Sequence, residues 1–257
     1  MSKYLELFKE SFNDSINEKT KPEHKPYIGY SLTEGKVVYT VVPKEPTSAY
    51  RMVDLGLPSG LKWADRNVGA ASPEENGLYF DWGNTEGHAV DENGNVEDGY
   101  SFDSTTYAST SGGQYAGSTL DAEHDAATAN MGGDWRMPTV DEIDELIAHT
   151  DYYYIDLSGN ILDKSELDRS KLRSICFVKK DATFNYNDRS NFIEIPFAGD
   201  CYGSLLNAGG LAVRVWSSSV YDDGVVAASH LTVYNDGLLW GGNSGRYCGF
   251  SVRGVRA

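Results

Sequence analysis

The stretch VDLGLPSGLKWA, residues 53–64, is the part of the sequence that decides the fold. Its centre, Leu57-Pro58-Ser59-Gly60, predicts a tight turn, because proline fixes one backbone angle and Gly60 can adopt a positive φ. The stretch runs into Trp63, which combines a large apolar body with one hydrogen-bond donor. From residue 49 onwards, short apolar runs alternate with turn residues, so we expect many short strands and loops.

Three further phrases carry one tryptophan each: GLYFDWG (77–83), NMGGDWRMPT (130–139) and VWSSS (215–219). Together with Trp63, the tryptophans of these phrases are expected to support a core that is poor in regular secondary structure. They are Trp82, Trp135 and Trp216. Arg136 follows Trp135 directly, and we expect it to form a half-buried structural ion pair.

One helix is well signalled, because Thr139 and Glu142 form a capping box. An apolar face continues as far as about His149; its members are Val140, Ile143, Leu146 and Ile147. The acidic residues of this helix are expected on its exposed face, where the first two suit the helix dipole. They are Asp141, Glu142, Asp144 and Glu145.

The remaining chain is predicted from composition. A second, alanine-rich helix is expected over residues 121–130 and ends at Gly132-Gly133. Residues 88–118 are rich in Gly, Ser, Thr and Asp, and we expect an extended surface excursion. From residue 191 to the end, the pattern favours strands and turns only.

Composition excludes several classes of protein. The 257 residues carry a net charge of −16, which disfavours nucleic acid as a partner. No apolar run reaches the length of a membrane helix, and the charged start MSKYLELFKESF does not fit a signal peptide. The three cysteines, Cys176, Cys201 and Cys248, do not form a disulfide scaffold or a four-cysteine zinc site.

Residues 1–48 form a separate element with no net charge. A helix is predicted over residues 3–18, with one apolar stripe made of Leu5, Phe8, Phe12 and Ile16. Two strands, 27–30 and 37–42, are expected to follow, joined by a turn at Thr33–Lys36. We place the boundary to the main domain, residues 49–257, near residue 48.

Catalytic and metal-binding motifs are not supported. Asp91-x-Asn93-x-Asn95 begins like a calcium loop, but Val96 stands where that loop needs glycine, so a hairpin turn at Asn93-Gly94 is expected instead. The five histidines have no ligand spacing and are expected at the surface or as caps; they are His24, His88, His124, His149 and His230. We predict no enzyme activity, no catalytic residue, no cofactor and no metal.

Taken together, the phrases resemble a family that is common in gut bacteria and their phages. The resemblance covers residues 51–257 and also includes NVGA (67–70), PEENGLYFDWG (73–83), DAATANMGGDWRMPT (125–139) and GFSVR (249–253). It implies an α+β, C-type lectin-like fold with two helices, short strands and many loops, related in architecture to the formylglycine-generating enzyme. Residues 1–48 add a helix and a hairpin.

A subset of this fold comprises the variable proteins of diversity-generating retroelements, in which adenine-directed mutagenesis rewrites a C-terminal segment. Such rewriting cannot yield Lys, Glu, Gln or Met. These four types make up 33 of the 257 residues, yet none lies in residues 213–257. The alternative is that a glycine-rich, strand-rich tail simply lacks long charged side chains.

We predict that residues 213–257 form a ligand-binding face, since Tyr, Ser, Asn and Gly also dominate antibody binding loops. The candidate contact residues are Ser219, Tyr221, Asp222, Asp223, His230, Tyr234, Asn235, Asp236, Trp240, Asn243, Ser244, Arg246 and Tyr247.

Two departures from the resemblance suggest a location. Asp65-Arg66 stands where relatives often have a cysteine, and no export signal is recognised. Both favour a phage virion component assembled in the host cytoplasm. Its partners would be a host-surface protein or glycan and, through residues 1–48, other virion proteins. We expect a homo-oligomer, with a trimer favoured.

Three alternatives stay open. A fixed bacterial surface adhesin could use the same fold. An oxidase of the formylglycine-generating type would need reactive cysteines, for which Cys201 and Cys248 are the candidates. Calcium-dependent sugar binding would use Tyr234-Asn235-Asp236, but the partner ligand motif is missing.

The apolar stripe of residues 3–18 generates a first prediction. Replacing Phe8 and Phe12 together by Asp should convert the expected trimer into monomers, because an apolar interface cannot bury unpaired charges. Light scattering on a sizing column measures the mass. Glu10→Lys, which lies off the stripe, should leave the oligomer intact. An unchanged mass for the Phe8/Phe12 variant would contradict the role of this stripe.

Overall fold

A computed structural model describes residues 28–33, 36–41, 50–162, 172–221, 226–234 and 239–257. The chain divides into two units, Met1–Ala49 and Tyr50–Ala257. In the first unit, β1 (Ile28–Thr33) and β2 (Lys36–Val41) pair antiparallel, which confirms the two predicted strands; they extend to Thr33 and Lys36, which were predicted as part of the turn. The predicted helix over residues 3–18 and its apolar stripe lie outside the described residues.

The second unit mixes four short helices with many strands in small sheets, counted over the described residues. The helices are α1 (Ser104–Tyr107), α2 (Ser111–Gln114), α3 (Ala126–Met131) and α4 (Val140–His149). The strands are β3 (Met52–Asp54), β4 (Lys62–Ala64), β5 (Tyr79–Phe80), β6 (Thr150–Asp156), β7 (Ile161–Leu162), β8 (Leu172–Lys179), β9 (Phe192–Pro196), β10 (Asp200–Tyr202), β11 (Leu205–Asn207), β12 (Ala212–Val220), β13 (Ala227–Tyr234), β14 (Leu239–Gly245), β15 (Phe250–Ser251) and β16 (Val255–Arg256).

These strands form four sheets in the second unit. Their orders are β14-β13-β12-β15-β5, β16-β4-β3, β7-β6-β8-β9 and the hairpin β10-β11. Within the described residues, no helix is long and apolar enough to cross a membrane. From residue 191 onwards the described chain contains only strands and turns, as the sequence predicted.

The turn at residues 57–60 is confirmed. Gly60 has a φ of +75°, and its amide donates to the Leu57 carbonyl at 2.9 Å. The turn is held against α4, because the Ser59 amide and hydroxyl both donate to the Glu145 carboxylate, at 2.8 and 2.6 Å. The turn therefore leads the chain into β4, the central strand of its sheet, where Trp63 is buried.

The four tryptophans predicted as core residues are all buried. Two of them connect distant segments by their single donors. Trp82 Nε1 donates to the Ser217 carbonyl at 2.9 Å, and Trp216 Nε1 donates to the Phe80 carbonyl at 2.8 Å. These reciprocal bonds join the region of β5 to β12, so they stabilise a core in which few strands exceed eight residues.

Helix α4 begins with the predicted capping box. The Thr139 hydroxyl accepts from the Glu142 amide, and the Glu142 carboxylate accepts from the Thr139 amide at 2.8 Å. Arg136 forms the predicted half-buried ion pair, and its partner is Glu142 at 2.6 Å. Glu142, paired with Arg136, and Glu145, bonded to Ser59, are half-buried, and only Asp141 and Asp144 of the acidic cluster are exposed as predicted.

Helix α3 begins later than predicted. It covers residues 126–131 because the Asp125 side chain caps it, accepting from the Thr128 amide at 2.9 Å, and the preceding residues form a turn.

The expectation of a surface excursion over residues 88–118 is wrong in part. The segment forms α1 and α2 and contributes buried side chains, including Val96, Phe102 and Tyr107. The burial of its aromatic side chains packs this otherwise polar segment against the core. The Asn93-Gly94 turn is confirmed, since the Gly94 amide donates to the Asp91 carbonyl at 3.0 Å.

Among the described residues, Arg253 is the most deeply buried cation, with 0% of its surface exposed. Its guanidinium donates to Asn67 Oδ1 at 2.9 Å, to the Ala64 carbonyl at 2.9 Å and to the Glu194 carbonyl at 2.8 Å. Burial lowers the pKa of Arg253 to about 9, so the group stays charged at neutral pH. One side chain thus fastens β4, the following loop and β9 to the C-terminal strands.

Removing this cation should destabilise the fold. Arg253→Met should lower the free energy of unfolding by about 3–5 kcal/mol, because three buried acceptors lose their donor. Urea denaturation measures the change. Arg51→Met is the control: its ion pair with Asp65 spans 3.9 Å at the surface, so it should cost less than about 1 kcal/mol. Equal losses for the two variants would contradict the importance of Arg253.

Candidate ligand-binding face

The predicted binding segment folds into three neighbouring antiparallel strands, β12, β13 and β14. One face of this sheet packs on α4, and its buried side chains belong to the main core. They are Val213, Val215, Leu231 and Val233, together with Ile143 and Leu146 from the helix. This packing fixes the sheet, so any contact with a ligand must come from the remaining side chains of the segment.

His230 lies inside the protein, and its prediction as a surface contact residue is wrong. It is 1% exposed and packs edge-on against the rings of Trp216 and Phe250. Nδ1 lies 2.7 Å from Thr232 Oγ1, and Nε2 lies 3.1 Å from Ser244 Oγ. Burial lowers the pKa of His230 to about 4, so the imidazole is neutral at pH 7.

His88 is a second histidine whose predicted surface position is wrong, since it is also buried. Its Nδ1 lies 2.6 Å from an Asp98 carboxylate oxygen. The sequence VVAASHLTV (225–233) around His230 is apolar and was a sign of burial, whereas the residues around His88 gave none.

Arg246 is also a structural residue rather than a free contact. It is 3% exposed, and its guanidinium lies 4.4 Å from the centre of the Trp82 ring. Its Nη1 donates to the Tyr115 carbonyl at 3.2 Å, and its Nε donates to the Ala227 carbonyl at 3.3 Å. Burial lowers the pKa of this guanidinium below its ordinary value. The predicted role of Arg246 at the binding face is therefore wrong.

The other predicted residues divide into exposed, half-buried and undescribed positions. Tyr221 and Asn243 are exposed, whereas Ser219, Tyr234, Ser244 and Tyr247 are half-buried. Only the backbone of Trp240 is described, as part of β14. Asp222, Asp223, Asn235 and Asp236 lie outside the described residues.

The hairpin β10-β11 adds residues that the sequence did not predict. Tyr202 is 58% exposed, and its ring centre lies 6.0 Å from that of Tyr247. Leu205, its partner across the hairpin, is also exposed. Both residues lie outside residues 213–257, the segment in which the absence of Lys, Glu, Gln and Met indicated a binding face. An aromatic residue beside a turn glycine, Tyr202-Gly203, was the only local hint.

The hairpin is attached firmly to the large sheet. The Cys201 amide donates to the Gly249 carbonyl at 2.7 Å, and the reverse bond measures 2.9 Å. Arg214 on β12 adds an ion pair to Asp200 at 3.2 Å and donates to the Tyr234 hydroxyl at 2.9 Å. Tyr202 and Tyr247 therefore stand on a fixed base. We group them with Leu205, Tyr221 and Asn243 as candidate contact residues and call this set the tyrosine surface.

The chemistry of this region is that of tyrosine side chains and buried thiols. Burial raises the pKa of Cys201 to about 12 and that of Cys248 to about 11, so both are protonated thiols at neutral pH. Within the described ranges, no group of three or more His, Cys, Asp or Glu side chains could hold a metal ion. The tyrosine surface offers ring faces, hydroxyls and an amide.

No known protein family, curated protein or solved structure matches this chain.

His230 generates a prediction about acid stability. The unfolded imidazole takes up a proton near pH 6.5, whereas the folded one does so near pH 4. Folding stability should therefore be lost as pH falls from 6.5 to 4, by about 3 kcal/mol from this group. In His230→Gln this part of the pH dependence should disappear, as measured by urea denaturation at each pH. The exposed His149→Gln should behave as wild type, and equal pH profiles for both variants would contradict the assignment.

Proposed function

We propose that this protein binds a receptor on a host cell surface through its tyrosine surface, and that it is a phage tail or fibre component. One observation carries the proposal. A tail without Lys, Glu, Gln or Met folds into a firmly packed sheet, and its exposed described positions include Tyr221 and Asn243. Tyrosine and asparagine are favoured in binding loops because they supply contact area and hydrogen bonds at a low cost in entropy.

The separation of buried and exposed positions supports this reading. His230 and Arg246 are held by internal contacts, so replacing them would disturb the fold. Tyr221 and Asn243 are exposed, so replacing them would alter the surface only. Such a division suits a protein whose surface residues change while its scaffold persists, as in the variable proteins that the sequence resembles.

The C-type lectin-like fold is part of the proposal. Supporting it are the ordered sequence phrases, the mixed helices and small sheets, and the tryptophan-based core. Residues 1–48 would join subunits or attach the protein to a virion. Several copies presented together would supply the avidity that a single small contact surface lacks.

The test uses labelled full-length protein on intact cells of a panel of gut bacteria, with binding measured by flow cytometry. We expect saturable binding to some strains. Tyr247→Ala should weaken that binding by about thirtyfold, because a tyrosine at the centre of an interface contributes about 2 kcal/mol. Tyr202→Ala should weaken it similarly.

Leu157→Ala serves as the matched control, since Leu157 is an exposed apolar residue on the β6–β7 turn, outside the tyrosine surface. It should bind as wild type. Undiminished binding by the Tyr247 and Tyr202 variants would contradict the proposed surface, as would the absence of binding to every strain.

A further inference from the structure

A cavity of about 310 Å³ lies apart from the residues of the tyrosine surface. Its lining is polar or aromatic throughout: Asn84, Thr85, Glu86, His88, Tyr100, Thr110 and Ser111. We call it the polar cavity. The Phe102 amide donates to the Gly203 carbonyl at 2.8 Å, so the segment that bears Tyr100 runs beside the β10-β11 hairpin.

The imidazole of His88 lines the polar cavity, and only one of its ring nitrogens has an internal partner. The side chain is 5% exposed, and its Nδ1 lies 2.6 Å from Asp98 Oδ2. Burial tends to raise the pKa of Asp98, but hydrogen bonds from His88 and the Tyr100 amide outweigh it and lower the pKa. The ionised carboxylate can only accept, so Nδ1 donates, and Nε2 is the acceptor nitrogen of the tautomer that makes this bond. Nε2 makes no hydrogen bond within the described part of the chain.

Tyr100 is arranged in the same way. Its hydroxyl donates to Asp81 Oδ2 at 2.6 Å, which leaves the lone pairs of the phenol oxygen available. Its ring stacks on His88 with the centres 3.8 Å apart, so the two side chains fix each other. The Nδ1 hydrogen of His88 and the hydroxyl hydrogen of Tyr100 are already bonded to carboxylates. Both side chains can therefore only accept a hydrogen bond from a ligand.

Two further lining hydroxyls also donate away from a ligand. Ser111 Oγ donates to Asn84 Oδ1 at 3.1 Å, and Thr110 Oγ1 donates to the Tyr107 carbonyl at 2.7 Å. Glu86 is exposed and, when ionised, can only accept. The polar cavity is consequently rich in acceptors and poor in donors.

The charge around the polar cavity is negative. Residues 76–125 contain ten acidic residues and no Lys or Arg. Asp81 is buried behind Tyr100, and no ion pair within the described residues neutralises it. A buried carboxylate without a cation is costly, and a positively charged ligand nearby would offset part of that cost.

We propose that the polar cavity binds a protonated amine. An ammonium group has three donors and no acceptor, which matches His88 Nε2, Tyr100 Oη and the Glu86 carboxylate. Its charge matches the acidic surroundings. The side chain of lysine and the amino group of an amino sugar both supply this chemistry. The site is independent of the tyrosine surface and goes beyond the receptor binding proposed above.

Calorimetric titration of the full-length protein tests the proposal with matched probes. Nα-acetyl-lysine N-methylamide is compared with its norleucine analogue, which lacks the ammonium, and glucosamine is compared with N-acetylglucosamine. We expect at least one amine to bind and its neutral counterpart to bind about tenfold more weakly or not at all. The better amine identifies the source of the group. Equal binding within both pairs, or no binding below about 10 mM, would overturn the proposal.

Variants locate the site. Glu86→Gln should weaken the binding of the amine by about tenfold, since one charge-assisted hydrogen bond is lost. Glu92→Gln removes the same charge from an exposed residue outside the lining and should change affinity little. Tyr100→Phe keeps the ring against His88 and should also weaken binding. Equal affinities for the Glu86 and Glu92 variants would place the amine elsewhere and reject this site.

Discussion

A buried guanidinium, that of Arg253, is the interaction on which the rest of the structure depends. Charge in the interior is costly unless hydrogen bonds replace the lost water. Here the carbonyls of Ala64 and Glu194 and the amide of Asn67 supply them. The guanidinium therefore requires three segments, distant in sequence, to be in place together. Once its hydrogen bonds form, they hold the N-terminal and C-terminal parts of the second unit together.

The C-terminal sheet is organised from this point outward. Strand β15 ends two residues before Arg253 and pairs with both β5 and β12. On this strand, the ring of Phe250 stacks on that of Trp216, with the ring centres 4.1 Å apart. His230 is enclosed against the same two rings. The inner positions of the sheet are thus determined by packing. In the proposed function the exposed positions would contact the receptor, so stability and binding would rest on different residues of one short segment.

Local signals predicted local structure well. The turn ending at Gly60, the capping box of Thr139 and Glu142, and the ion pair of Arg136 depend on residues close in sequence, and each was predictable. The burial of His230 and Arg246 depends on Trp82, Trp216 and Phe250, which approach only in the folded chain. Tyr202 was missed for the same reason, because it joins Tyr247 through the pairing of Cys201 with Gly249. The polar cavity likewise combines three segments, residues 84–88, Tyr100 and residues 110–111, and the last two lie in the region that composition alone marked as surface.

Deep sequencing of the 3′ end of the gene across a natural population would show whether the binding face is diversified. We expect substitutions concentrated in the codons of exposed and half-buried residues, such as Tyr221, Asn243 and Tyr247. We expect invariant codons for His230, Arg246 and Arg253, and a nearby near-copy of the segment whose adenines mark the variable positions. Substitutions spread evenly over buried and exposed codons, or a tail without variation and without such a copy, would contradict a diversified binding face.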